Sequence, residues 1–301
     1  MRIRYITLLI AFVMIVMNVA AQSSADNGIS RESYGLVRTN MNTSYSHGWG
    51  TIEDVFSARV SYEFIRNRNI TLTANARYSS CEVSFADGDL SDSYNPNEIN
   101  LNGTHLLGQV GVTSTFRFKL FGKPFMGMAM LNSEWGEGGF ARISGIAMGL
   151  FMIKANRDTQ FGIGPLVMIN STSKVPAFIV FMYKHRFNEK WLVNLYGGIF
   201  SVDYTPTKNN LISIGADVDV NSFYFKPSDT RLPSRCRFTS TSFRPMARFR
   251  HRLAENLYFD TQAGVSLKMS SRINGITGTK EYVECNQKAA PSIQFGVSYS
   301  L

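Results

Sequence analysis

Four arginines fall on even-numbered positions of one short run: Arg244, Arg248, Arg250 and Arg252. In an extended chain successive side chains point to opposite faces, so these four share a face, and Phe243, Ala247 and Phe249 share the other. Asp217 and Asp219 take the polar face of a preceding alternating segment, and Asp260 that of the following one. Guanidinium groups bind phosphate and carboxylate bidentately. The stripe therefore predicts either an anion-attracting wall or a ladder of Arg–Asp pairs between neighbouring strands. No His/Cys/Asp cluster has zinc spacing and no Gly-rich phosphate loop follows a strand, so neither a metal nor a cofactor is expected.

The stripe is useful only on strands, and period-two alternation runs through much of the chain. Phe56, Ala58, Val60, Tyr62 and Phe64 alternate with Ser57, Arg59, Ser61 and Glu63. Leu106, Val110, Val112, Phe116 and Phe118 alternate with Gln109, Thr113, Thr115, Arg117 and Lys119. Similar patterns cover 70–79, 212–220, 257–268 and 292–301. In all six the charges sit on the polar face alone. Such a split fits the core and solvent faces of a soluble sheet, or the lipid and lumen faces of a membrane barrel.

Composition narrows the choice. The 301 residues are 44% hydrophobic, 13% aromatic and 18% charged. That is too aromatic and too weakly charged for intrinsic disorder. The net charge is +9, falling to +7 once Arg2 and Arg4 of residues 1–21 are set aside, and the remaining arginines are interspersed among strand positions, so no nucleic-acid partner is expected. Residues 1–21 read as a cleaved signal peptide: Arg2 and Arg4, then an apolar run from Ile6 to Met17, then Val19-Ala20-Ala21. Beyond it no run approaches the ~18 apolar residues of a membrane helix.

Three features then favour a barrel over 22–301. Short polar turns (Asn67 to Asn69, Gly122 to Pro124, Asn156 to Asp158, Asn188 to Lys190, Pro206 to Asn209, Ala254 to Asn256) alternate with longer loops such as Cys81 to Gly103, Phe225 to Ser240 and Arg272 to Lys288. Several patterns persist longer than the ~5–6 residues of a usual strand. The sequence ends inside an alternating segment, as a closing strand would. The predicted fold is all-β: one closed antiparallel transmembrane β-barrel of about fourteen strands. The first strand lies at about Tyr34 to Tyr45, and Gly197-Gly198 turns between two short strands. Misreading either leaves twelve.

The Ala-Ala-Gln leader end, the run Phe187-Asn188-Glu189-Lys190-Trp191 and the terminal alternating strand resemble uncharacterised outer-membrane β-barrel domain proteins of Gram-negative bacteria. Leu301 stands where such barrels often end in Phe or Trp. The resemblance implies the bacterial outer membrane as location, with outer-membrane lipid and the barrel-assembly machinery as partners. It implies no substrate and no oligomeric state.

The function expected is a non-enzymatic, porin-like pore or transporter for small anionic or lipid-like solutes. The alternatives are a lipid-modifying barrel enzyme and a secreted soluble β-sandwich. For the enzyme, Gly103-Thr104-His105-Leu106-Leu107-Gly108-Gln109 resembles the His-x-x-Gly stretch of outer-membrane phospholipases, but Gln109 stands where the nucleophilic Ser belongs. His105 reads as a loop-edge histidine. Met126, Met128 and Met130, and Ile146, Met148, Leu150 and Met152, lie on segments apolar on both faces. They predict a lumen packed by apolar side chains or a plug, or a hydrophobic channel. Cys81, Cys236 and Cys285 fall in or beside outer loops. Either Cys236 and Cys285 form a disulfide or all three are reduced, and spacing does not decide.

Overall fold

The structure, a computed structural model, describes residues 39–67, 69–91, 94–169, 177–196, 199–276 and 280–300. The expected leader, residues 22–38, Gly197-Gly198 and Leu301 lie outside the described residues.

The alternating segments form strands β1 (Thr39–Gly48), β2 (Ile52–Arg66), β3 (Ile70–Val83), β4 (Gly103–Leu120), β5 (Lys123–Gly136), β6 (Gly139–Ala155), β7 (Thr159–Ile169) and β8 (Ala177–Arg186). They continue with β9 (Trp191–Tyr196), β10 (Ile199–Thr207), β11 (Asn210–Phe225), β12 (Cys236–Ala254), β13 (Leu257–Gly275), β14 (Glu281–Glu284) and β15 (Ala290–Ser300). Each strand from β1 to β13 pairs antiparallel with its sequence neighbour. β15 pairs with both β13 and β1, which closes a fourteen-stranded ring. β14 pairs only with β13, outside the ring. A closed ring leaves no sheet edge, and a two-layered sandwich is excluded.

The short turns are held by local chemistry. The side-chain oxygen of Asn67 accepts from Ile70 N at 2.7 Å, and that of Asn188 accepts from Lys190 N at 2.8 Å and Trp191 N at 2.9 Å. These are asparagine-built turns. The turn expected at Gly122 to Pro124 is instead Phe121-Gly122, with φ of 51° and 74°. A two-residue hairpin with both φ positive suits the twist of its strands, so Lys123 and Pro124 already belong to β5.

The faces separate as the alternation requires. On β4, Leu106, Val110, Val112 and Phe118 are exposed on the outer surface, while His105 and Leu107 on the inner face are buried. Exposed aromatics gather near the short turns (Tyr62, Phe64, Phe121, Phe187, Trp191) and again toward the other end (Trp49, Tyr78, Trp135, Phe140). Ten residue steps on β5 separate Phe125 from Trp135. At about 3.4 Å per residue and a tilt of roughly 40° they climb about 26 Å, matching the ~25 Å apolar band of a bilayer-spanning barrel. So large a greasy exterior on a closed sheet is stable only against acyl chains. Among the described residues no helix is long and apolar enough to cross a membrane; strands make the crossing.

At the long-loop end the hairpins rise past the upper aromatic belt. β12 starts at Cys236 rather than near Thr241, and β3 and β13 run on to Val83 and Gly275. Phe85, Leu90, Ile99 and Leu101 from the loop after β3, Leu232 from the loop after β11, and Val283 of β14 pack on Phe223, Phe225, Phe238 and Ile273. These side chains are buried, and each fully buried Leu, Ile or Phe contributes roughly 1.5–3 kcal/mol. The outer loops therefore form a packed cap. The thiols of Cys81, Cys236 and Cys285 lie free and buried in that cluster. The Cys236–Cys285 bridge is thus not formed: Cys236 sits opposite Phe225 and Gly275 on its ladders, while Cys285 bridges to Leu90.

Candidate functional site

Register decides which charges meet inside the barrel. Asp217 lies directly opposite Arg244 on the β11–β12 ladder. The guanidinium donates from Nε at 3.0 Å and Nη2 at 2.9 Å to the two carboxylate oxygens, a bidentate fork. Asp260 on β13 accepts from Arg248 (2.7 and 3.0 Å) and from Arg250 (2.8 Å). Asp219 accepts instead from the Asn221 side chain at 2.8 Å. Arg252 turns to the short-turn end, where it donates to the carbonyls of Ala254 and Glu255. Three members of the basic stripe are thus held by carboxylates and the fourth by backbone.

A second inner surface is apolar. Met148, Leu150 and Met152 of β6 and Val180 and Met182 of β8 are buried together, with Met126 and Met128 of β5, Leu166 of β7 and Tyr196 of β9 packed against them. The Tyr196 hydroxyl lies 3.8 Å from the Met148 sulfur. Small residues let these strands approach: a Cβ on Gly164 would stand 1.7 Å from the Gly149 carbonyl oxygen. Counting pairings around the ring, β7 lies opposite β15. The methionine wall therefore faces the part of the lumen flanked by β12 and β13 on one side and β2 and β3 on the other.

The third surface is on β2 and β3. Arg59 and Arg77 are cross-strand partners on the inner face. Arg59 donates to the Asn75 side-chain oxygen at 3.1 Å, and Arg77 Nε donates to Ser57 at 3.2 Å and Ser79 at 3.0 Å. Both arginines are exposed to the lumen. Alternation alone puts both on a polar face but does not pair them, because a single chain carries no record of cross-strand register.

Toward the outer end the lumen is shut. β11 crosses the mouth to touch β4 and β5, and β5 lies six pairings away around the ring. The His105 ring stacks on Phe223 with centroids 4.1 Å apart and planes 3° from parallel, and its Nε2 lies 2.8 Å from the Leu101 carbonyl oxygen. Burial pushes the His105 pKa down. Tyr224 and Ser144 donate their hydroxyls to Glu134, and Arg142 donates to the same carboxylate at 3.3 Å. Arg235 reaches across to the carbonyls of Phe140 (2.8 Å), Glu137 and Gly139 (both 3.1 Å). His105 is therefore a buried cap residue on β4, not a loop-edge group. Its ring does not face lipid, where a base for lipid chemistry would have to work.

No family model matches the chain, and no curated protein does. Solved structures similar to it include a KdgM porin in complex with disordered oligogalacturonate, 10% identical over 87% of this chain and 99% of that one, with a TM-score of 0.37. Another is an outer membrane channel from Pseudomonas putida F1, 10% identical over 92% and 99%, at 0.46. A third is outer membrane phospholipase A from Escherichia coli, 10% identical over 87% and 95%, at 0.36. Channels and an enzyme stand together among these barrels, so the likeness selects no activity.

Proposed function

We propose that this chain is a non-enzymatic transporter of the bacterial outer membrane, taking solutes that join an anionic head, carboxylate or phosphate, to a hydrocarbon body. Outer-membrane lipid covers its apolar band, and the barrel-assembly machinery inserts it. The observation that carries the reading is a lumen with two unlike walls: exposed arginines flank one side and a methionine-rich surface lines the other. Arginine forks suit the head. Unbranched, polarizable methionines adapt to a hydrocarbon of no fixed shape. The packed cap argues against free diffusion of small ions, so passage requires the outer loops to move.

Purified barrel in planar bilayers should show no steady conductance. Deleting residues 226–235, which carry the Arg235 strap, should open a channel preferring anions. In sealed vesicles the intact barrel should admit a medium-chain carboxylate faster than the alcohol of the same length. A large steady conductance in the intact barrel, or equal rates for acid and alcohol, refutes the reading.

A further inference from the structure

We propose that Arg59 and Arg77 form a binding site for a small oxyanion, a phosphate or a carboxylate group, under the cap of the barrel. The inference rests on the transport reading and deepens it by naming where the head group binds. The basic side chains of the lumen are unequally matched. Arg244, Arg248 and Arg250 each have a carboxylate within hydrogen-bond distance. Among the described residues Arg59 and Arg77 form no ion pair. Yet they stand directly opposite one another on adjacent strands, an arrangement in which like charges repel. Their hydrogen-bond partners are neutral oxygens of Asn75, Ser57 and Ser79. The acid whose field reaches Arg77 is Asp219, on β11 across the lumen, and its hydrogen bond is to Asn221.

Two guanidinium groups carry ten N–H donors between them, of which Arg59 Nη2 and Arg77 Nε are engaged by Asn75, Ser57 and Ser79. An oxyanion held by both would cancel the repulsion and take up remaining donors in charge-assisted bonds. There is room beside Arg77: a cavity of about 170 Å³ lies under the cap, bordered by Arg77, Ser79, Gln109, Asn221, Phe223 and the buried Arg237, and Arg59 stands on the neighbouring strand directly opposite Arg77. Ser79, Gln109 and Asn221 add neutral polar groups, which suit an oxyanion's remaining oxygens.

The test uses the full processed chain, folded in detergent. Inorganic phosphate, and separately acetate, is titrated at constant ionic strength against chloride and followed by calorimetry. Wild type should saturate at one site for at least one of the two anions. Arg59→Gln and Arg77→Gln should each weaken that affinity at least tenfold, whereas Arg248→Gln should stay within about threefold. A second measurement needs no variant: the bound anion should slow arginine-specific modification of Arg59 and Arg77 by phenylglyoxal, read by mass spectrometry, and leave Arg248 unchanged. A structural role makes the opposite forecast for the empty protein. As a ligand site, Arg77→Gln relieves repulsion and the empty barrel melts at or above the wild-type temperature; as a scaffold, it melts lower. Absence of saturation by both anions, or a double variant that titrates like wild type, overturns the proposal. Uptake by vesicles without saturable binding would remove the site and keep transport. Saturable binding without uptake would keep the site and remove transport.

Discussion

Asp217→Asn is the most exacting perturbation of the charged wall. It keeps the shape of the side chain, removes its charge, and leaves Arg244 with one acceptor oxygen in place of the two it now engages at 3.0 and 2.9 Å. The Arg244 side chain is only 13% exposed and that of Asp217 18%, so little water is at hand to replace the lost partner. Removing one member of a buried pair costs roughly 3–5 kcal/mol because the other charge stays behind. The residual amide bond and some lumen water place the expected loss near the lower figure, about 3 kcal/mol, which is roughly a hundredfold in the folding equilibrium. Asp260→Asn should cost less, about 1–2 kcal/mol, although two arginines depend on it, since both are 35% exposed and water screens them. The assay is reversible unfolding in denaturant in the presence of detergent micelles, with heat-modifiable gel migration as the check of folding. Replacing both partners together, Arg244→Met with Asp217→Leu, should restore most of the loss, because no charge is then stranded. If Asp217→Asn lies within about 0.5 kcal/mol of wild type, the lumen beside β11 and β12 is as wet as an open surface and the ladder contributes nothing to stability.

Gly164→Ala should lower the yield of folded barrel sharply, because its Cβ would lie 1.7 Å from a backbone oxygen and 2.8 Å from a backbone carbon; a loss at or above the ~1–3 kcal/mol of ordinary overpacking is expected in the same unfolding assay. The cap should loosen in acid. Burial holds the His105 pKa below its unfolded value, so the unfolded or opened state binds the extra proton. The contribution of His105 is intact above about pH 6.5 and declines as pH falls from there toward the folded pKa; hydrogen exchange of cap amides measures it, and His105→Phe should abolish that dependence. The three thiols should resist a polar disulfide reagent in the folded barrel, since burial pushes Cys81, Cys236 and Cys285 up to about 12. All three should react on unfolding; rapid labelling of any one without denaturant would refute the packing of the cap.

The ring itself was legible because every lipid-facing position must be apolar and every turn must break the alternation. Even the short hairpin formed by Trp191–Tyr196 and Ile199–Thr207 could be read, since its two halves alternate on either side of a glycine pair. The outer end of β12 was not. Arg237, Phe238, Thr239 and Ser240 are all buried, so both faces of that extension pack against protein. Its mixed polar and aromatic residues therefore resemble a loop, although they occupy a strand. The Arg244–Asp217 pair was within reach of pattern alone, because the two residues lie on neighbouring segments of opposite charge. Arg59 and Arg77 escaped notice because each is unremarkable on its own strand and only register sets one against the other. The choice between a disulfide and three reduced thiols stayed open in the sequence for a related reason: shared loops do not fix where two sulfurs point.

The two walls and the closed mouth constrain one another. An open, water-filled bore would wet the methionine wall, and each exposed Å² of apolar surface costs roughly 25 cal/mol. Leu150 is instead fully buried, and Met148, Met152 and Met182 are nearly so, so that half of the lumen is dry and packed on itself. Arg59 and Arg77 face the other half and remain exposed. A hydrated ion would need only the wet half, and nothing in ion conduction calls for a row of methionines. Leucine or valine would fill the same space with fewer rotatable bonds and less freedom to move. Methionine at positions 126, 128, 148, 152 and 182 packs the wall compactly, and its unbranched, flexible side chains would let that wall give way to a hydrocarbon chain of the proposed solute without a change of backbone. On the proposed transport reading the selective step lies in that rearrangement and in the opening of the cap above it, and solutes with a head but no body should gain nothing from either.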